Sequence, residues 1–415
     1  MDQINLGDCA FVLVSTALVF FMTPGLALFY GGMVKRKNVL NTIMACFFVA
    51  GLGSVLWVLV GYSLSFGGNS AFLGNFQYFA LNGVGDAPNA DYAATIPHLL
   101  FAAFQMMFAI ITPTLISGAL AERMKFSSLF IFAALWSIIV YYPLVHMIWG
   151  TGGLLKNIGA IDFAGGNVVH ISSGISGLVA CIMLGRRKGY PALSTHPHNI
   201  PLVFIGAGIL WFGWFGFNAG SALTSGPLAV HALMTTNTSG ATALLSWMLV
   251  EKIVRGKPTM LGAATGAVVG LAAVTQGAGY VPIWAAFIIG GLVSPICYFA
   301  MTVIKSKFGY DDALDAFGCH GVGGIWGGIA TGLFANHSVN PAVKWDGLVF
   351  GDARLLGAQL ISIVVTITLS AVGTFLIISV IKLFMKIRVE GLEESEGLDL
   401  TEHGENAYPA FTGLD

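Results

Sequence analysis

Charge is the scarcest thing in this sequence. Only 9% of its 415 residues are Asp, Glu, Lys or Arg, 56% are hydrophobic, and the mean hydropathy is +0.81. A soluble domain carries about 25% charge, so an ordinary soluble fold is excluded and a chain that crosses a bilayer many times is expected. The net charge of −1 leaves no basic field for nucleic acid. Cysteine is sparse and scattered: Cys9, Cys46, Cys181, Cys297 and Cys319 stand singly inside apolar runs, without C-x-x-C spacing. That suits small buried hydrophobes, not disulfides or a metal site. A basic n-region is also missing. Met1-Asp2-Gln3-Ile4-Asn5 precedes an apolar run that continues to Val34 and is met by Lys35-Arg36-Lys37, which predicts a retained first span instead of a signal peptide.

What is present is a series of apolar runs about 20 residues long, enough to cross the hydrocarbon. Eleven can be counted, at roughly 9–34, 39–65, 95–121, 127–149, 163–185, 199–220, 227–250, 259–276, 281–304, 314–335 and 355–386. With the N-terminus outside, the inner segments hold sixteen of the nineteen Lys and Arg residues, and the outer ones only Lys156, Lys344 and Arg354. A shift of one span would destroy that asymmetry, so the fold class expected is an all-α polytopic membrane protein, N-out and C-in. Residues 1–389 form its transmembrane domain. Residues 390–415 are an acidic, polar tail too short to be a domain, which taken alone suits a disordered segment or a docking peptide.

Two histidines lie where lipid should permit none. His170 is in the fifth run and His320 in the tenth, and the residues after each follow one template, H-x-x-x-G-I-x-G. A repeat of five spans is odd, so spans 6–10 must be inserted upside down relative to spans 1–5, with a central pore where the halves meet. On a helix His170, Gly174 and Gly177 share one face, and small residues there let backbones approach closely. A lone intramembrane histidine is as easily structural as functional; a repeated pair favours function. The other histidines, including His98 and His146, fall at span ends, in loops or in the tail, where water could satisfy them. No metal or cofactor is expected. Asp162 is about 12 Å along its helix from His170, and Asp315 lies about 140° around the helix from His320, so neither converges locally.

Aromatics gather towards the outer side: Phe108, Trp149, and Trp211-Phe212-Gly213-Trp214-Phe215-Gly216-Phe217 ahead of Ser221. Taken alone, Trp149 suits an interfacial anchoring belt; the alternative is a cation–π recess with Ser221 as acceptor. Asp162 could serve as a helix N-cap.

Several motifs together are specific: Phe29-Tyr30-Gly31-Gly32, Gly118-Ala119-Leu120-Ala121-Glu122-Arg123, Asp162-Phe163-Ala164-Gly165-Gly166, Trp214 to Ser221, Asp315 to His320, and Gly397 to Tyr408. Across essentially its whole length the chain resembles an ammonium transporter of the Amt/Mep/Rh superfamily, on the bacterial Amt side. That resemblance implies recruitment of ammonium by Trp149, Ser221 and Phe108, and a gate of Phe108 and Phe217. It implies a pore lined by His170 and His320, with Asp162 and Gln105 supporting the vestibule. It also implies a regulatory tail carrying Gly397, Asp399, Glu402, Glu405 and Tyr408. Cys319 and Trp326, beside His320, are the places where the sequence departs from the plainer residues of the family, which touches pore shape. The partners implied are ammonium or ammonia, possibly methylammonium, the lipid bilayer of the plasma (inner) membrane, two further copies in a homotrimer, and a cytoplasmic PII-type signalling protein. The rival readings are an ammonium sensor and an Rh-type gas channel on the same fold. A membrane enzyme is disfavoured, since no nucleophile motif, metal triad or cofactor fingerprint accompanies the histidines.

Overall fold

A computed structural model describes residues 4–191 and 196–408. The first three residues of the N-terminus and residues 409–415 of the tail lie outside the described residues. Among the described residues each of the eleven apolar runs is helical: α1 (Leu6–Met33), α2 (39–66), α3 (His98–Leu120), α4 (126–149), α5 (166–184), α6 (Ile200–Gly220), α7 (Pro227–Arg255), α8 (Met260–Val274), α9 (283–308), α10 (317–334) and α11 (Arg354–Phe384). Eight are long and apolar enough to cross a membrane. The other three are α7, α8 and α10. α7 carries the polar run Thr235-Thr236-Asn237-Thr238-Ser239, α8 has 15 residues, and α10 carries His320 among seven glycines.

The first helices of the two halves, α1 and α6, lie against each other along their length. Glycines allow it: a Cβ on Gly206 would strike the Phe29 backbone, and one on Gly32 would strike the backbone of Asn199 and Val203. The histidine helices cross in the same way. A Cβ on Gly174 would land on the Gly321 backbone, and one on Gly324 would stand 3.1 Å from the His170 Cβ and Ile171 N. Glycines of α5 and α10 thus remove the side chains that would otherwise hold the two histidines apart.

The halves also share a departure from α-helical geometry that periodicity does not reveal. Both histidines sit in π-turns. The His170 and Ser172 amides reach back five residues, to the Gly165 and Asn167 carbonyls, and the Val322 amide to that of Phe317. The preceding helices, α4 and α9, carry π-turns at 137–141 and 300–304. Such inserted turns rotate the downstream face and cluster at functional sites.

Charge is concentrated on one face, where the tail also lies. Arg187 forms salt bridges of 2.7 Å with both Glu122 and Asp311, all three side chains nearly inaccessible. Arg123 donates to the carbonyls of Gly185 and Ala121. Burial alone would push the carboxyls up and the guanidinium down, but the pairing wins. Glu122 and Asp311 are held below the ordinary carboxylate range, and Arg187 is held above its own. The cluster ties the ends of α3, α5 and α9 together.

The described part of the tail, residues 390–408, folds against the membrane domain and is not the disordered segment that was one of the two readings of its composition. Two short helices, α12 (Gly391–Glu396) and α13 (Leu398–His403), lie on the basic loops. Asp399 accepts from the Asn41 amide at the start of α2 (2.8 Å), Glu402 from the Phe126 amide (3.0 Å), and Glu394 from the Lys188 amide (2.6 Å). Gly397 has φ +113°, and a Cβ there would meet Lys37 at 2.7 Å. Tyr408 packs under Arg36 at 5.0 Å and bonds His198 at 3.1 Å. Water does not satisfy His98 and His146 either. His98 is buried against the Tyr62 hydroxyl, and His146 lies with its two nitrogens 2.9 and 2.8 Å from the carbonyls of Ser65 and Ser70.

Gly174→Val should lower the thermal stability of the purified protein by about 1–3 kcal/mol, the usual cost of overpacking. Gly208→Ala, where the added Cβ has open space, should leave stability unchanged or slightly higher. Equal melting temperatures for the two variants would refute the close crossing of α5 and α10.

Candidate functional site

Three spaces open between the helices. On the face opposite the tail is a cavity of about 320 Å³, whose lining includes Phe101, Gln105, Trp149, Asp162 and Ser221. At the centre is an enclosed space of about 20 Å³ that touches both His170 and His320. A single water needs about 10–15 Å³, so this space admits one molecule of that size. Below His320 lies a cavity of about 240 Å³, whose lining includes Glu251, Thr265, Asp315 and Cys319.

Trp149 closes α4. It is not a lipid-facing anchor: it lines the opposite-face cavity, and its indole N–H donates to the Asp162 carbonyl at 2.8 Å. The carboxylate of Asp162 explains why that carbonyl is fixed. Its Oδ1 accepts from the amides of Gly165 and Gly166 (both 2.7 Å), and its Oδ2 from those of Asn167 (2.8 Å) and Val168 (3.2 Å). These are the first free amides of α5, which meets the expectation of an N-cap and exceeds it. One residue therefore orients both the Trp149 ring and the helix that bears His170.

Ser221 lies in the same cavity. Its hydroxyl donates to the Phe217 carbonyl at 2.8 Å, which leaves its lone pairs as acceptors. Gln105 is buried beside it with an Oε1 that has no partner in the protein. Phe108 and Phe217 lie 4.4 Å apart between centroids with their planes tilted by 42°, and Phe108 meets Trp149 edge-on at 6.0 Å. Phe217 lines the central space, and Phe108 packs between it and Trp149 of the outer cavity.

Under the phenylalanines the imidazoles of His170 and His320 lie nearly parallel, 15° apart. Their Nδ1 atoms are 3.2 Å apart. Two nitrogens at that distance require one N–H and one lone pair, so the pair shares a single Nδ1 proton; with no counter-charge in the apolar wall, two neutral rings are the favoured state. Trp214 stacks on His170 at 5.5 Å, and its own N–H is taken up by Thr275 at 2.9 Å. The rest of the wall is apolar, apart from the Tyr30 hydroxyl, which donates to Leu115. His170 Nε2 is buried with no partner in the protein. An orphaned ring nitrogen beside a void of molecular size is a group waiting for a ligand.

All the residues expected at the mouth and pore converge here: Phe108, Trp149, Asp162, His170, Phe217, Ser221, His320 and Gln105. The tail residues do not; they are on the far face. Sequence reading missed Asp312, whose Oδ1 and Oδ2 accept from the Ala316 (3.1 Å) and Phe317 (2.8 Å) amides at the start of α10. It stands eight residues before His320, as Asp162 stands eight before His170. The signal was present as D-x7-H in both halves, but attention fell on Asp315, which instead pairs with Lys305 at 2.7 Å. Trp214 was noticed only as part of an aromatic cluster. Of the two departures near His320, Cys319 lines the conduit, whereas Trp326 donates to the Ile289 carbonyl and does not line it.

Asp162→Ala should strip four buried amides of their acceptor, at about 1–3 kcal/mol for each donor left unsatisfied. Asp162→Asn should lose less. The expected result is a clear drop in melting temperature together with loss of transport. Full transport with unchanged melting would remove Asp162 from this role.

A sequence model described as the Ammonium Transporter Family matches residues 10–408. The chain is 52% identical over 404 residues to the ammonium transporter of Bacillus subtilis, covering 97% of this chain and 99% of that one. It is 47% identical to the ammonium transporter of Aquifex aeolicus, covering 98% and 94%. Among solved structures, Saccharomyces cerevisiae Mep2 superimposes with a TM-score of 0.91 at 32% identity, over 99% of this chain and 93% of that one.

Proposed function

Because the chain belongs to the ammonium transporter family, we propose that it takes up ammonium by recruiting the ion at the outer cavity, deprotonating it and conducting ammonia past the two histidines into the cytoplasm. The observation that carries this is the orphaned His170 Nε2 beside a space of about 20 Å³ with otherwise apolar walls.

At the mouth, ammonium finds the faces of Trp149 and Phe108 and the oxygens of Ser221 and Gln105. Cation–π attraction in such a recess amounts to about 0.5–2 kcal/mol. Beyond the phenylalanines a bare ion would face a desolvation penalty of tens of kcal/mol by idealised Born estimate. Losing the proton costs far less. With a lysine-like pKa of about 10.4, it is about 5 kcal/mol at pH 7. Potassium has the same charge and a similar size but no proton to give up, so it stops at the two phenylalanine rings. Inside, the shared Nδ1 proton leaves one ring with a free Nε2 lone pair and the other with an Nε2–H. Ammonia, both donor and acceptor, finds a complement at each. Nothing in this step breaks a covalent bond other than N–H, so the chain acts as a transporter and not an enzyme.

The domain assignment follows: residues 1–389 conduct, and 390–415 regulate. Contacts of the described part of the tail with the basic loops at 35–37, 123–126 and 186–188 support a regulatory role for Gly397, Asp399, Glu402, Glu405 and Tyr408. We place that face in the cytoplasm of a plasma-membrane protein, consistent with its excess of Lys and Arg. The functional unit is a homotrimer, and a PII-type protein docks on the tail face. The relatives named as transporters favour transport over sensing.

His170→Ala or His320→Ala should alter selectivity, read in proteoliposomes as ammonia flux with a pH-sensitive dye and as potassium leak. Unchanged flux and unchanged potassium exclusion in both variants would refute the histidine role. Truncation after 390 should change both the transport rate and PII docking; if neither moves, the regulatory reading of the tail fails.

A further inference from the structure

The outer cavity contains a cation of its own. Besides Asp162, whose carboxylate is fully engaged by backbone amides, the charged residues lining it are Asp91 and Lys156. Lys156 lies on a single helical turn, Leu154–Asn157, directly after the α4 end that carries Trp149. Its Nζ donates to the Trp149 carbonyl at 3.3 Å. Asp91, on the loop between the paired strands Pro88–Asn89 and Ala93–Pro97, borders the same space. No salt bridge joins the two among the described residues, so neither charge is cancelled by contact.

A lysine side chain ends in an alkylammonium group, with the same charge and the same kind of donors as the ion this mouth takes up. We propose that Lys156 is a tethered competitor that sets the affinity of the outer cavity for ammonium, weakening it by charge repulsion, while Asp91 on the same rim opposes it. The proposal rests on reading that cavity as the recruitment site. The arrangement makes sense of an otherwise odd feature, a cation placed at the mouth of a cation's path. Two like charges about 10 Å apart in a recess of effective dielectric 20–80 change each other's occupancy about two- to fifteen-fold. Repulsion of that size tunes the working concentration without closing the mouth. Because Lys156 is an exposed residue at the cavity rim, mobile salt should screen its charge.

The test is transport by purified protein in liposomes over a range of ammonium concentrations, at low and at high sodium chloride. Lys156→Gln should lower the half-saturating concentration about two- to fifteen-fold and leave the maximal rate within about two-fold. Lys156→Arg, which keeps the charge, should stay near wild type, and Asp91→Asn should raise the half-saturating concentration. All three differences should shrink in high salt. A fall in the maximal rate of Lys156→Gln with unchanged half-saturation and no salt dependence would make Lys156 a strut for Trp149 and overturn the proposal. Trp149→Ala separates the two readings. If it abolishes saturable uptake while Lys156→Gln behaves as wild type, the recruitment site stands and the tethered competitor falls. If Trp149→Ala saturates normally, the recruitment reading itself fails.

Discussion

The contact between two neutral imidazoles in an apolar conduit is what the rest of the molecule is arranged to secure. At 3.2 Å between Nδ1 atoms, the pair can share one proton but not two. A second proton would put a charge in a wall with no carboxylate to meet it. That single constraint demands several others. The helices bearing the rings must approach until backbone touches backbone, which requires glycine at 174 and 324. The start of each helix must be held firmly, which Asp162 and Asp312 do by accepting the first free amides. The π-turns at both histidines then set the direction in which the rings project.

Charge is handled by location. The conduit has none, while the tail face gathers a buried network around Arg187, Glu122 and Asp311 and the docked helices of the tail. Removing one partner from such a network is costly, since the remaining charge stays buried. The outer mouth is intermediate: polar atoms sit beside aromatic faces, with Asp91 and Lys156 at its rim. The three spaces thus run from a weakly charged recess through an apolar passage to a polar exit that holds Asp315 and Glu251.

Much of this was legible in the sequence because membrane burial leaves few explanations for a histidine. The H-x-x-x-G-I-x-G template exposed the repeat, and the order of apolar runs anticipated every long helix. The pore aromatics were less legible from physics alone: an interfacial tryptophan is usually an anchor, and only tertiary contact with Asp162 shows that Trp149 faces inward. Asp312 was missed because the template was read forward from each histidine and not back to the cap. The π-turns could not be seen, since one inserted residue barely disturbs an all-apolar pattern. The tail looked unstructured because its partners, Asn41, Phe126 and Lys188, lie more than two hundred residues away in the chain. Lys156 was counted only as one of three outer cations, for topology.

The shared proton is open to direct observation. Nitrogen-15 NMR of ring-labelled histidine in bilayers, assigned with His170→Ala and His320→Ala, reports the protonation of each ring nitrogen and any coupling across an N–H···N bond. At neutral pH the account predicts two neutral rings, one protonated at Nδ1 and one at Nε2, with measurable coupling between the two Nδ1 nuclei. A ring protonated at both nitrogens, or two rings with no coupling between them, would contradict it.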